Sequence, residues 1–175
     1  MQMMGNAVAP LRKYQGFVDF IATFADNPLI GLLAGTVMTC VVQSSTATIG
    51  ILMAMASQGL IPLEGAIPVM LGDNVGTCIT SVLASLRANR AAKRVAYSHV
   101  LYNLIGSIIF IIFMGWFVDF VLYISPEGDI ARQIANSHTA FNLLSTVIFL
   151  PITNQFVAFI ELLVPGKDVV ISRKP

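Results

Sequence analysis

Gln43-Ser44-Ser45-Thr46-Ala47-Thr48 places a run of hydroxyls and one amide in the middle of apolar sequence. Residues 27–63 contain no Asp, Glu, Lys or Arg, and the stretches 29–42 and 49–56 on either side of the run are suited to hydrocarbon. Uncharged polar side chains at such a depth are costly unless they face protein, water or a ligand. Neither flanking stretch reaches the roughly 20 apolar residues that a spanning helix needs. The economical reading is a re-entrant helical hairpin over residues 28–62, entering at Pro28, turning at the polar run and leaving near Pro62. Irregular backbone at membrane depth is tolerated where it lines a cavity or is buried in protein, so the turn reads as a binding site.

Composition supports a membrane domain. The sequence is 56% hydrophobic and only 11% charged, and its mean hydropathy is +0.80, whereas a soluble domain carries about 25% charged residues. A net charge of +1 provides no field for nucleic acid. Cys40 and Cys78 lie apart in apolar context and read as small buried hydrophobes rather than as a metal or disulfide framework. No nucleophile elbow, HExxH or phosphate-binding loop is present, and carboxylates are too few for paired acid–base chemistry, so no catalytic residue and no enzyme activity are expected.

Outward from the hairpin, residues 1–26 form an interfacial segment. Within it, Phe17, Phe20, Ile21 and Phe24 recur at helical spacing among Arg12, Lys13, Asp19 and Asp26, as in an amphipathic helix at a membrane surface. Residues 65–86 read as a helix broken at Gly72-Asp73-Asn74-Val75-Gly76-Thr77, where two glycines permit an unwound turn. A basic loop follows with Arg87, Arg90, Lys93 and Arg94. Residues 95–118 and 133–160 are full transmembrane helices, joined by a polar turn over 119–132, and Pro151 should kink or end the second. Residues 165–175 form a polar tail. The fold class is therefore an all-α, multi-pass membrane protein of one hairpin, one broken helix and two spans. The positive-inside rule puts the basic loop and the tail in the cytoplasm and the base of the hairpin outside.

Both breaks carry site chemistry. A half-helix starting near Thr46–Thr48 would aim its N-terminal N–H groups, with about half a positive charge, at an anion. Half-helix carbonyls and hydroxyls suit a sodium ion in the same place. Asp73 is the one carboxylate deep in an apolar segment, and reads as a cation ligand or proton carrier, or else as the cap of the following half-helix. A short repeat is also visible: Ser98-His99-Val100-Leu101-Tyr102-Asn103-Leu104 returns as Ser137-His138-Thr139-Ala140-Phe141-Asn142-Leu143. His99 and His138 read first as residues that hydrogen-bond near helix ends or snorkel, and second as metal ligands. Asn103 and Asn142, one turn on, read as packing contacts between the spans or as residues facing the site.

The two motifs and the repeated Ser-His segments resemble the type II sodium-dependent phosphate cotransporter family in its bacterial form, over about residues 27–150. Members carry a glutamine-serine-serine-serine motif. Here Thr46 stands at the third serine, and Asp73 replaces a small residue of the second motif. The resemblance implies sodium-coupled symport of inorganic phosphate across the plasma membrane. Phosphate would be bound by Gln43, Ser44, Ser45 and Thr46, and sodium by Thr48, Asp73, Asn74 and Thr77. Sodium is then the coupling ion, with no other cofactor. The family pairs two inverted repeats, and this chain resembles the second alone. The resemblance thus implies a missing half, supplied by a longer gene product, a separate subunit or a second copy of the chain. A transporter of another small anion and a non-transporting membrane scaffold remain the rival readings.

Overall fold

The computed structural model describes residues 2–166 and is helical throughout, with no strand among the described residues. The expected polar tail at 167–175 lies outside them. Helices α1 (Gln2–Val8) and α2 (Gln15–Asp26), linked by a 3-10 turn, precede α3 (Pro28–Val42) and α4 (Ser45–Ser57). Then come α5 (Leu63–Thr77), α6 (Ile79–Ser85), α7 (Arg90–Ile112), α8 (Met114–Tyr123), α9 (Ile130–Phe149) and, after a 3-10 segment at Leu150–Ile152, α10 (Thr153–Leu163). Among the described residues three runs are long and apolar enough to cross a membrane: Leu63–Ser85, Arg90–Ile112 and Ile130–Leu163.

α3 and α4 form the hairpin. Asn27 opens it by accepting the Leu29 N–H at 3.1 Å, and Pro28 occupies the first helical turn, where its missing N–H costs nothing. At 1.5 Å per residue the two arms are about 22 and 20 Å long, short of the roughly 30 Å hydrocarbon core. The turn is two residues. Gln43 closes α3 in the left-handed region (φ 55°, ψ 27°), and its N–H bonds the Thr39 carbonyl at 2.7 Å. Ser44 is extended and caps α4, its Oγ accepting the Ala47 N–H at 3.3 Å. α2 meets α3 at a bend of 116° and buries Ile21 and Phe24.

The second motif departs from its sequence reading. Residues 72–77 are regular helix within α5, and the interruption falls at Cys78, after the motif. Gly72 and Gly76 therefore do not unwind the chain. They make room for a neighbour. α3 carries Gly31 and Gly35, four residues apart, and its backbone lies directly on that of α5. A Cβ added to Gly35 would overlap the Val69 carbonyl, and one added to Gly72 would overlap the Leu32 carbonyl. Small residues repeating every four positions allow this approach, and Thr36 Oγ1 bonds across it to the Gly72 carbonyl at 3.1 Å. α5 is buried along nearly its whole length and forms the centre of the molecule.

Other boundaries shift for identifiable reasons. Asn89 caps α7 by accepting the Ala92 N–H at 3.0 Å, so Arg90, Lys93 and Arg94 lie in its first turns rather than in a loop. Phe113 leaves helical geometry, so the expected span at 95–118 is divided between α7 and α8. Asp129 caps α9 by accepting the Arg132 N–H at 2.9 Å, which shortens the polar turn from both sides. Pro151 sits in the 3-10 segment between α9 and α10.

Arg94 ties the start of α7 to the end of α10. Its guanidinium donates to the Val164 carbonyl at 3.2 Å and the Gly166 carbonyl at 2.8 Å, and pairs with Glu161 at 3.2 Å. Both ends thus lie on one side, as two antiparallel spans require. Glu161 is more than half exposed, which weakens the ion pair, but the carbonyl bonds remain. Arg94→Ala is expected to destabilise the last turn of α10 by about 1 kcal/mol. Amide exchange over 160–164 should then accelerate while exchange in the hairpin is unchanged; uniform acceleration across the chain would contradict a local clamp.

Candidate sodium and phosphate site

Three helices bring one polar residue each into a closed cluster beneath the hairpin turn. Thr39 of α3, Thr48 of α4 and Asp73 of α5 are all fully buried. Thr39 Oγ1 donates to Asp73 Oδ1 at 2.8 Å. The Thr48 and Thr39 hydroxyl oxygens are 3.1 Å apart. With its own proton committed to the carboxylate, Thr39 accepts from Thr48. Among the described residues Asp73 Oδ2 has no hydrogen-bond partner. A buried carboxylate oxygen without a partner is costly, and a hard cation held by oxygen ligands is the partner such a group suits. Asp73 is deep inside α5 and does not cap α6, so the capping alternative falls.

Thr39 was absent from the sequence-based site. Its signal was present, since Gly31, Gly35 and Thr39 follow one another at four-residue steps on the face of α3 that meets α5.

The phosphate-assigned residues divide. Gln43, Ser44 and Thr46 are exposed at the turn, and Ser45 is half-buried. Ser45 opens into a cavity of about 400 Å³ that is also lined by Asn74, Thr77, His99, Tyr102, Asn103, His138 and Asn142. An adjoining cavity of about 290 Å³ is lined by Ser45, Thr46, Ile49, Gly50, Met53 and His138. The first turn of α4 therefore faces both. The structure brings Ser45, Asn74 and Thr77 together in one cavity, and seats Thr48 and Asp73 in the closed cluster behind it. Gln43 and Ser44 line neither cavity.

Asn74 and Thr77 are held by their own helix. Asn74 Nδ2 donates to the Met70 carbonyl at 2.9 Å, and Thr77 Oγ1 donates to the Asp73 carbonyl at 2.8 Å. Asn103 and Asn142 repeat the pattern, with Nδ2 bonded to the carbonyls of His99 (3.0 Å) and His138 (2.8 Å). Each asparagine thereby keeps its Oδ1 for other partners. His99 is hydrogen-bonded: its Nδ1 is 3.1 Å from Ser81 Oγ, which orients the ring. The two Ser-His segments, from different spans, thus converge on one cavity. The repeat was legible in the sequence; that its copies face a shared space was not.

Cys78 is buried at the α5–α6 break and accepts from Asn103 Nδ2 at 3.4 Å. Among the described residues no three His, Cys, Asp or Glu side chains gather as a metal site.

Residues 1–148 match the Na+/Pi-cotransporter family. The chain is 40% identical over 122 residues to the uncharacterized protein YqeW of Bacillus subtilis (strain 168), a match covering 70% of this chain and 40% of that protein. It is 40% identical over 60 residues to sodium-dependent phosphate transport protein 2A of Rattus norvegicus, covering 34% of this chain and 9% of the relative. To protein 2B of the same name in Homo sapiens it is 38% identical over 65 residues, covering 37% and 9%. The chain thus spans less than half the length of these relatives. No solved structure matches it. By the extent of the family match, the chain belongs to the Na+/Pi-cotransporter family.

Proposed function

We propose that this chain supplies one half of a sodium-coupled symporter of inorganic phosphate in the plasma membrane, completed by a second repeat. The observation that carries the reading is Asp73 Oδ2, a buried carboxylate oxygen without a partner, in the cluster directly behind the hairpin turn. Sodium would bind at Asp73 with Thr48 and Thr39, or one turn away at Asn74 and Thr77. Phosphate would bind at the N-terminal turn of α4, through the N–H groups and hydroxyls of Ser44, Ser45 and Thr46 with Gln43 above them. The order follows from charge. An anion placed near an ionised, uncompensated Asp73 is repelled, so sodium must enter first and neutralise the cluster. A rigid displacement of the hairpin would then expose the loaded site to the other side. The basic start of α7 would face the cytoplasm. The names of the mammalian relatives support both solutes.

Uptake of labelled phosphate into proteoliposomes holding the chain with its second repeat, with and without an inward sodium gradient, tests the reading. Ser45→Ala is the informative variant, because Ser44 also caps α4 and its loss would cost about 1 kcal/mol of helix stability. The expected result is sodium-accelerated uptake that Ser45→Ala reduces about tenfold or more, equivalent to one hydrogen bond to a charged group. Membrane abundance should not change. Wild-type uptake by Ser45→Ala would remove the Ser45 hydroxyl from the phosphate site.

A further inference from the structure

We infer that His99 and His138 form the wall of the phosphate site opposite the hairpin and donate hydrogen bonds to the bound oxyanion; this rests on the phosphate reading above. Among the described residues, the cavities flanking the α4 N-terminus are lined by neither lysine nor arginine. The positive face offered to an anion must therefore come from N–H groups, hydroxyls and imidazoles. The sequence contains two histidines, and both line the cavity that Ser45 opens into, although they belong to different spans. His138 also lines the adjoining cavity with Ser45 and Thr46, so it sits beside both residues at the start of α4. His99 is oriented by Ser81 through Nδ1, which leaves Nε2 as its group for the cavity. When the Ser81 hydroxyl donates to Nδ1, Nε2 carries the proton and is a donor. The asparagine one turn after each histidine commits its amide to the histidine's own carbonyl. That bond stiffens the segment carrying the ring. The repeated Ser-His-x-x-aromatic-Asn pattern then places an imidazole from each span on the cavity that Ser45 at the start of α4 opens into, and Ser81 fixes the ring of His99.

Carbethoxylation by diethyl pyrocarbonate tests this on the unaltered chain reconstituted with its second repeat in proteoliposomes, because each of the chain's two histidines gives its own peptide by mass spectrometry. Inorganic phosphate in sodium chloride is expected to slow modification of both rings severalfold relative to sodium chloride of equal ionic strength. His138→Gln and His99→Gln provide the second readout. Each should raise the phosphate KM about tenfold, the equivalent of one hydrogen bond to a charged group, with the maximal rate changed much less. A merely structural role would lower abundance or maximal rate and leave KM alone. Unprotected histidines in a preparation that takes up phosphate, or variants of unchanged KM, would overturn the assignment and leave the phosphate reading standing. A wild-type preparation that neither takes up phosphate nor shows protection would overturn both.

Discussion

Gly72→Ala is expected to prevent α3 from docking on α5 and to leave the protein unfolded or aggregated in mild detergent. A Cβ at position 72 would overlap the Leu32 carbonyl and approach Leu32 C and Thr36 N at 2.8 Å. These are backbone atoms. No rotamer change relieves the overlap, and only separation of the helices can. Separation would take with it the Thr36–Gly72 and Thr39–Asp73 hydrogen bonds, which cross the same interface. Overpacking that side chains absorb costs about 1–3 kcal/mol; a clash between backbones should exceed that range and consume much of a total stability of about 5–15 kcal/mol. Gly115→Ala is the control, since nothing lies within 4 Å of a Cβ there. It should be neutral or slightly stabilising through helix propensity. Thermal stability by size-exclusion chromatography after heating reads both. A Gly72→Ala protein as stable as wild type would show that α3 and α5 do not pack this closely.

Asp73→Asn is expected to abolish the stabilisation that sodium gives. The substitution keeps the size of the side chain and, through Oδ1, its bond from Thr39, but removes the charge. In sodium-free buffer the variant should be at least as stable as wild type, because a buried charge without a full set of partners is replaced by a neutral amide. In wild type, sodium should raise the melting temperature with concentration, as any ligand of the folded state does. Loss of a charged ligand from a buried site, at about 3 kcal/mol, corresponds to roughly a hundredfold weaker binding. The variant should therefore melt at one temperature in sodium and potassium chloride. An equal sodium-dependent shift in both proteins would move the sodium site away from Asp73.

These two residues also mark where the sequence was legible. Residues 43–48 announced the hairpin because hydroxyls and an amide cluster in the middle of a mainly apolar stretch without a charged residue, and Asn27-Pro28 and Pro151 carry their meaning locally, through a cap and through a missing N–H. Gly72 and Gly76 do not. A pair of glycines permits either an unwound turn or the close approach of a second backbone, and the choice depends on whether a matching strip exists elsewhere. It does, at Gly31 and Gly35, but pairing the two strips requires knowing that α3 lies along α5. Asp73 was recognisable as an ionisable group in apolar sequence. Its partners Thr39 and Thr48, 34 and 25 positions upstream, became visible only once the hairpin folded onto α5. The histidines are a third case. Their repeat was plain, yet their meaning depends on two spans facing a common cavity, which is a property of tertiary packing alone.

Equilibrium binding of labelled phosphate to the chain assembled with its second repeat, in sodium chloride against potassium chloride at equal ionic strength, tests the central claim most directly. The account predicts saturable binding in sodium and little or none in potassium, because phosphate can join the site only after Asp73 is neutralised. Equal binding in the two salts, or binding in neither, would contradict it.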